Sequence, residues 1–131
     1  MIARWLRVAL VVGIVYVVIG RVFALPAEHV RGWRLAAWVV SGVAYAAHIV
    51  YERFSLNSSP RSAALHVALA AAIGAFGLAV AGMIHSLSTA SAIRPAWLLA
   101  LVAWPAITAV PAYVAALLAG AVLALVHPIR P

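Results

Sequence analysis

Between its few polar breaks, this chain runs through apolar stretches of membrane length. VALVVGIVYVVIG (8–20) holds no charge, nor does HVALAAAIGAFGLAVAGMI (66–84), and the run from Ile93 to Val126 holds only Arg94. A hydrocarbon core about 30 Å thick takes about 20 apolar residues to cross as a helix. Lipid offers no partner for backbone N–H and C=O groups, so such a segment must satisfy its own ladder, and the helix is the open-ended way to do so. A soluble all-α domain would need a charged coat. The 131 residues supply nine arginines, two glutamates, no lysine and no aspartate. A water-facing domain is typically about one quarter charged. The expectation is one all-α membrane domain over 1–131.

Four spans are expected, in an up-down bundle: about 5–23, 33–54, 62–84 and 105–127. Arg4 and Arg7 before the first run resemble a signal-peptide n-region, but the residues after the run make a poor cleavage site, so it is read as a span. Pro26 and Glu28 suit the start of a short helix in the loop that follows. Arg31, Trp33 and Arg34 read as an interfacial anchor for span two. Ser59-Pro60 ends span two, and the apolar pattern restarts beyond it. The last apolar run would reach about 51 Å as one helix, too far for a single straight crossing. Pro105 and Pro111 are expected to break it, with 95–104 as a separate interfacial helix. Two full spans there would each be too short.

The formal charge of +7 does not indicate nucleic acid. The arginines stand singly or in pairs at the ends of apolar runs, forming no stripe that follows a phosphate backbone, and anionic lipid headgroups account for them. Arg4, Arg7, Arg53, Arg61 and Arg130 fall on one side; Arg21, Arg31, Arg34 and Arg94 fall on the other. That balance leans to both termini in the cytoplasm of a bacterial-type cytoplasmic membrane, and it also admits dual topology. GRVFALPAEHVRGW (20–33) and GMIHSLSTASAIRPAW (82–97) share a faint echo that would fit a duplicated hairpin.

In span two, Arg34, Trp38, Ser41, Tyr45, His48 and Glu52 recur at intervals of four and three, a sector of about 80° on a helix. Polar side chains facing lipid are costly, so this line is expected to face the bundle or another subunit. Ser41 and Tyr45 can bond between or within helices at about 0.6–2 kcal/mol each. Gly13 and Gly20 in span one mark a packing face. In span three, Ala70, Gly74, Gly77 and Ala81 form a small-residue face with His66, which lets another backbone come close.

His48 lies four residues before Glu52, and His66 lies five after Arg61, so the two imidazoles are expected at similar depth on adjacent helices. That arrangement suits the axial ligands of a b-type haem, with Arg53 and Arg61 for its propionates and Tyr45 as a hydrogen-bond partner. The chemistry would then be electron transfer. A metal site from His48, His66 and His127 lacks a carboxylate or another buried ligand, and none is expected. Transport is a third class. Glu52 or His48 would carry a proton, and Thr108, between the two prolines, would lie at exposed carbonyls. Glu52 is expected at a membrane edge beside Arg53.

Catalysis within the chain is not expected. There is no cysteine, no carboxylate pair and no nucleophile beside a base at a readable spacing. Trp5, Trp33, Trp38, Trp97 and Trp104 lie mostly near the expected interfaces. The reading that follows is a small, non-catalytic integral membrane subunit or anchor. Its partners would be lipids and copies of itself or other membrane subunits. Haem-linked electron transfer and small-solute or ion transport are the alternatives.

Overall fold

The computed structural model describes residues 3–24, 30–90 and 95–126. It holds four helices and, among the described residues, no strand: α1 (Arg4–Val22), α2 (Val30–Phe54), α3 (Pro60–Ala90) and α4 (Pro95–Val126). Each is long and apolar enough to cross a membrane by length and composition, which fits an integral membrane protein. Pro26, Glu28, His29, Arg94, His127 and Arg130 lie outside the described residues.

Local chemistry sets the helix ends. Phe23 closes α1, its N–H donating to the Ile19 carbonyl, and Arg21 in the last turn suits the negative end of the helix dipole. At the other hairpin, Asn57 takes a left-handed conformation (φ 51°), which asparagine tolerates better than most residues. Ser59 then caps α3: its Oγ accepts from the Ser62 N–H at 3.2 Å, and Pro60 occupies the first helical position, where no N–H is needed.

Two helices run further than the sequence pattern indicates. α3 continues to Ala90 rather than ending near residue 84. Its polar last turns wind as helix because Ser88 and Thr89 donate their hydroxyls to the His85 carbonyl at 2.8 and 3.0 Å. α4 is not broken. Residues 95–104, expected as a separate interfacial helix, are continuous with the rest through Pro105 and Pro111. Each proline deletes one ladder donor, and in a 32-residue helix the remaining bonds keep the cylinder intact. Thr108, between them, donates to the Trp104 carbonyl at 2.8 Å and the Pro105 carbonyl at 3.1 Å, tying that turn together.

α3 is the hub. It packs most extensively against α4, next against α1, and α2 touches the other three only lightly. Small residues make this possible. A Cβ on Gly13 would stand 2.6 Å from Ile73 Cγ2, and one on Gly74 would stand 2.6 Å from Tyr16 Cβ and 3.3 Å from the Gly13 carbonyl. Gly20 meets Leu78 and Gly77 meets Val17, so the contacts of α1 and α3 advance in step along both helices. Between α3 and α4, Gly82 receives the Trp97 ring, and Gly120 meets Pro60. The core cluster is correspondingly fine-grained: Ile49, Ala64, Val67 and Ala116, with Tyr45, Tyr113 and Leu117 packed against it. Backbones this close gain dispersion contacts along their whole length, the form of cohesion available when the surroundings are themselves apolar.

Candidate functional site

Two features stand apart on the bundle: a buried polar cluster where α2 meets α3, and an apolar cavity towards the other end of α2.

The cluster is centred on Glu52, whose side chain is wholly buried. The loop 55–59 folds back over the end of α2. The Ser58 N–H donates to the Glu52 carbonyl at 3.0 Å, and the Ser58 hydroxyl donates to Oε2 at 2.7 Å. From α3, His66 Nδ1 approaches the same oxygen at 2.8 Å. One turn back on α2, His48 Nε2 lies 3.6 Å from Oε1, beyond hydrogen-bond distance, and neither nitrogen of this buried ring has a hydrogen-bond partner. α1 closes the cluster: the Trp5 indole stacks on the His66 ring, with centroids 4.3 Å apart and planes 7° from parallel. A buried carboxylate costs several kcal/mol unless donors meet it, by roughly that order in measured cases. Ser58 and an Nδ1–H tautomer of His66 supply two donors.

Glu52 lies in the last turn of α2, next to Arg53. The backward fold of the Ser58 loop encloses it. Arg53 is also buried, and Arg61 is exposed.

The arrangement does not fit a haem. Axial imidazoles must face each other with iron and a flat macrocycle between them. Here both histidines turn towards one carboxylate, which takes the space where the macrocycle would stand, and Trp5 covers a face of the His66 ring. The walls of a void that reaches Tyr45 and Gly74 include, among the described residues, neither histidine and neither Arg53 nor Arg61. Among the described residues, no group of three or more metal-ligating side chains is placed to hold a metal ion.

The polar line on α2 has a graded fate. Arg34 and Trp38 are exposed, Ser41 and Tyr45 are half-buried, and His48 and Glu52 are buried. The helix is therefore engaged at its Glu52 end and stands off around residues 34–42, while at its start the Trp33 ring packs against Phe23 with centroids 5.3 Å apart. The Tyr45 hydroxyl, midway, donates to the Ala112 carbonyl of α4.

Beneath the stand-off half of α2 lies a cavity of about 690 Å³. Its floor is the small-residue face of α3, chiefly Ala71, Gly74, Ala75 and Gly82. Five aromatic rings border it: Tyr16, Trp38, Tyr45, Trp97 and Trp104. Ser41 and Thr108 also lie on its walls, and among the described residues no charged side chain does. Ala70 is buried at the contact with Gly13, Gly77 meets Val17, and Ala81 is half-buried.

Sequence reasoning missed Trp5, Ser58, Trp97 and Tyr16. Their roles depend on contacts between separate helices or around a loop, up to 61 residues apart in the chain, for which helical spacing carries no signal. The α1–α3 contact had one visible trace, the seven-residue interval between Gly13 and Gly20.

No family model, curated protein or solved structure matches this chain.

Proposed function

We propose that the chain is a four-helix integral membrane protein, arranged up-down-up-down with both termini on one side, serving as a small non-catalytic subunit or anchor in a larger membrane assembly. One observation carries the reading: α2 is lightly packed against its own bundle and turns Leu35, Trp38, Val39 and Val43 outward, each more than 60% exposed. Within lipid, helices are held by close packing rather than by the hydrophobic effect. A helix with so little contact inside its own chain gains most from a neighbour outside it. The paired contacts of α1 with α3 and the meeting of Pro60 with Gly120 support the up-down arrangement.

Gentle extraction followed by native mass spectrometry tests the assembly, with stoichiometric copies or partners expected. A lone chain that keeps its full helicity and melting temperature in nanodiscs would overturn the reading. The chain has no cysteine, so single substitutions test its orientation. Ala3→Cys and Asn57→Cys should react with an impermeant maleimide from one side, and Ser88→Cys from the other.

Transport is the second reading, favoured by the complete burial of Glu52 beside two imidazoles. A carboxylate so placed can exchange a proton with His66, which remains partly exposed. Vesicles carrying the wild-type protein and loaded with a pH dye should pass protons under a potassium diffusion potential, and Glu52→Gln should not. Equal flux in the two would exclude this reading.

A further inference from the structure

We infer that the cavity beneath α2 is a binding site for a neutral lipophile with a flat, aromatic or conjugated body, entering from the surrounding bilayer beside α2.

The volume comes first. About 690 Å³ lies within the range of small-molecule sites, roughly 300–1,000 Å³. Protein interiors are otherwise packed with few voids larger than a water molecule. A void this size would normally close by the approach of α2. Two features hold it open: the Tyr45 bond to Ala112 and the Glu52 cluster fix one end of α2, and Trp97, seated on Gly82, stands at the other end of the cavity.

The walls select the chemistry. Among the described residues they carry no arginine, histidine or glutamate, so a charged guest would lose its hydration without a partner. The Thr108 and Tyr45 hydroxyls already donate to backbone carbonyls of α4. What remains is apolar surface and ring faces, with the Ser41 hydroxyl and the buried Tyr16 hydroxyl, which has no hydrogen-bond partner among the described residues, as the polar points. Aromatic side chains favour offset or edge contacts with other π-systems, and the glycine and alanine face of α3 offers a smooth wall for a flat body.

The route follows from the rim. Trp38 is 78% exposed and Gly42 is exposed, and both border the cavity. A side chain added at Gly42 would meet no atom within 4 Å, so the space beside it is open. A bilayer-dissolved molecule therefore reaches the cavity past α2 without crossing a polar surface. The inference does not depend on the subunit reading. Under the transport reading it names the class of cargo.

The test uses N-phenyl-1-naphthylamine, a neutral fluorescent probe, with the full chain in phosphatidylcholine nanodiscs. Energy transfer from Trp38, Trp97 and Trp104 to bound probe reports occupancy. Saturable transfer at about one probe per chain is expected for the wild type. Gly42→Phe should fill the cavity and weaken uptake at least tenfold. Gly32→Phe, also in open space but away from the cavity, should leave it unchanged. Ala71→Phe, on the opposite wall, gives a second filled variant if Gly42→Phe fails to fold. A permanently cationic analogue of the probe should bind at least tenfold more weakly than the neutral one.

Equal uptake by wild type and both filled variants would overturn the inference. So would equal affinity for the cationic analogue. Absence of saturable uptake would overturn it too, whether bilayer acyl chains hold the cavity or a second copy does. The second copy would show as an oligomer that Gly42→Phe dissociates.

Discussion

Glycine at position 74 sets the distance between α1 and α3, and replacing it with alanine gives a test with a worked magnitude. The new Cβ would lie 2.6 Å from Tyr16 Cβ and 3.3 Å from the Gly13 carbonyl oxygen. The first atom is the root of a side chain and the second is backbone, so neither can swing away. The helices must separate, and overpacking of this kind costs about 1–3 kcal/mol. Alanine also favours the helix over glycine by about 1 kcal/mol, which offsets part of that cost. The expected net effect is a loss of up to about 2 kcal/mol. Gly42→Ala is the matched control: its Cβ would meet nothing within 4 Å, so only the helix preference remains and a gain of about 0.5–1 kcal/mol is expected. The helix preference is common to both, so the two variants should differ by the overpacking cost itself, roughly 1–3 kcal/mol, with Gly74→Ala the less stable. Equilibrium unfolding in mixed micelles, followed by far-ultraviolet circular dichroism across an SDS titration, resolves that gap. If Gly74→Ala is stabilised as much as Gly42→Ala, the close α1–α3 contact is wrong.

Three further changes probe the other features. Glu52→Ala removes the acceptor for Ser58 and His66 and should cost about 2–4 kcal/mol, since each stranded donor in a part-buried site carries about 1–3 kcal/mol; a double-mutant cycle with His66→Ala should give a coupling above 0.5 kcal/mol, and strict additivity would deny the contact. Tyr45→Phe deletes the bond to the Ala112 carbonyl, the α2–α4 tie, and should lower stability by about 0.5–1.5 kcal/mol in the same titration, whereas no change would place the hydroxyl elsewhere. Thr108→Val keeps shape but loses the hydroxyl that bonds to the Trp104 and Pro105 carbonyls; amide exchange around 104–112 should quicken by about fivefold, which corresponds to about 1 kcal/mol of local opening, and unchanged rates would show that α4 stands without it.

Much of the fold was legible because lipid imposes simple demands. The scarcity of charge and the lengths of the apolar runs point to four helices by composition alone, and Ser59-Pro60 marks the start of α3 correctly to a residue or two. The ends were harder. Ser88 and Thr89 look like loop chemistry in one dimension, yet their hydroxyls bond back to the His85 carbonyl and extend α3. Pro105 and Pro111 look like breaks, yet a helix loses only one ladder bond at each and continues. The site was legible in its members more than in its geometry. His48 and His66 both approach Glu52. That Glu52 stands between them, under a loop that doubles back, depends on the φ of Asn57 and the reach of Ser58, which periodicity does not encode. The cavity left only the mark of its floor, the small-residue face of α3, because its opening arises where α2 fails to follow its neighbours.

The lopsided seating of α2 has a bearing on how this molecule comes apart. Cohesion rises from a helix held mainly near its tips to a central one gripped on two sides, so opening should proceed in order rather than all at once. Deuterium should enter the backbone first around residues 34–42, then α1, and last along the stretch of α3 between Ala63 and Ala79, where burial is deepest. A protease or a quality-control chaperone that samples loosened segments would meet the 34–42 strip of this chain before any other described part of it.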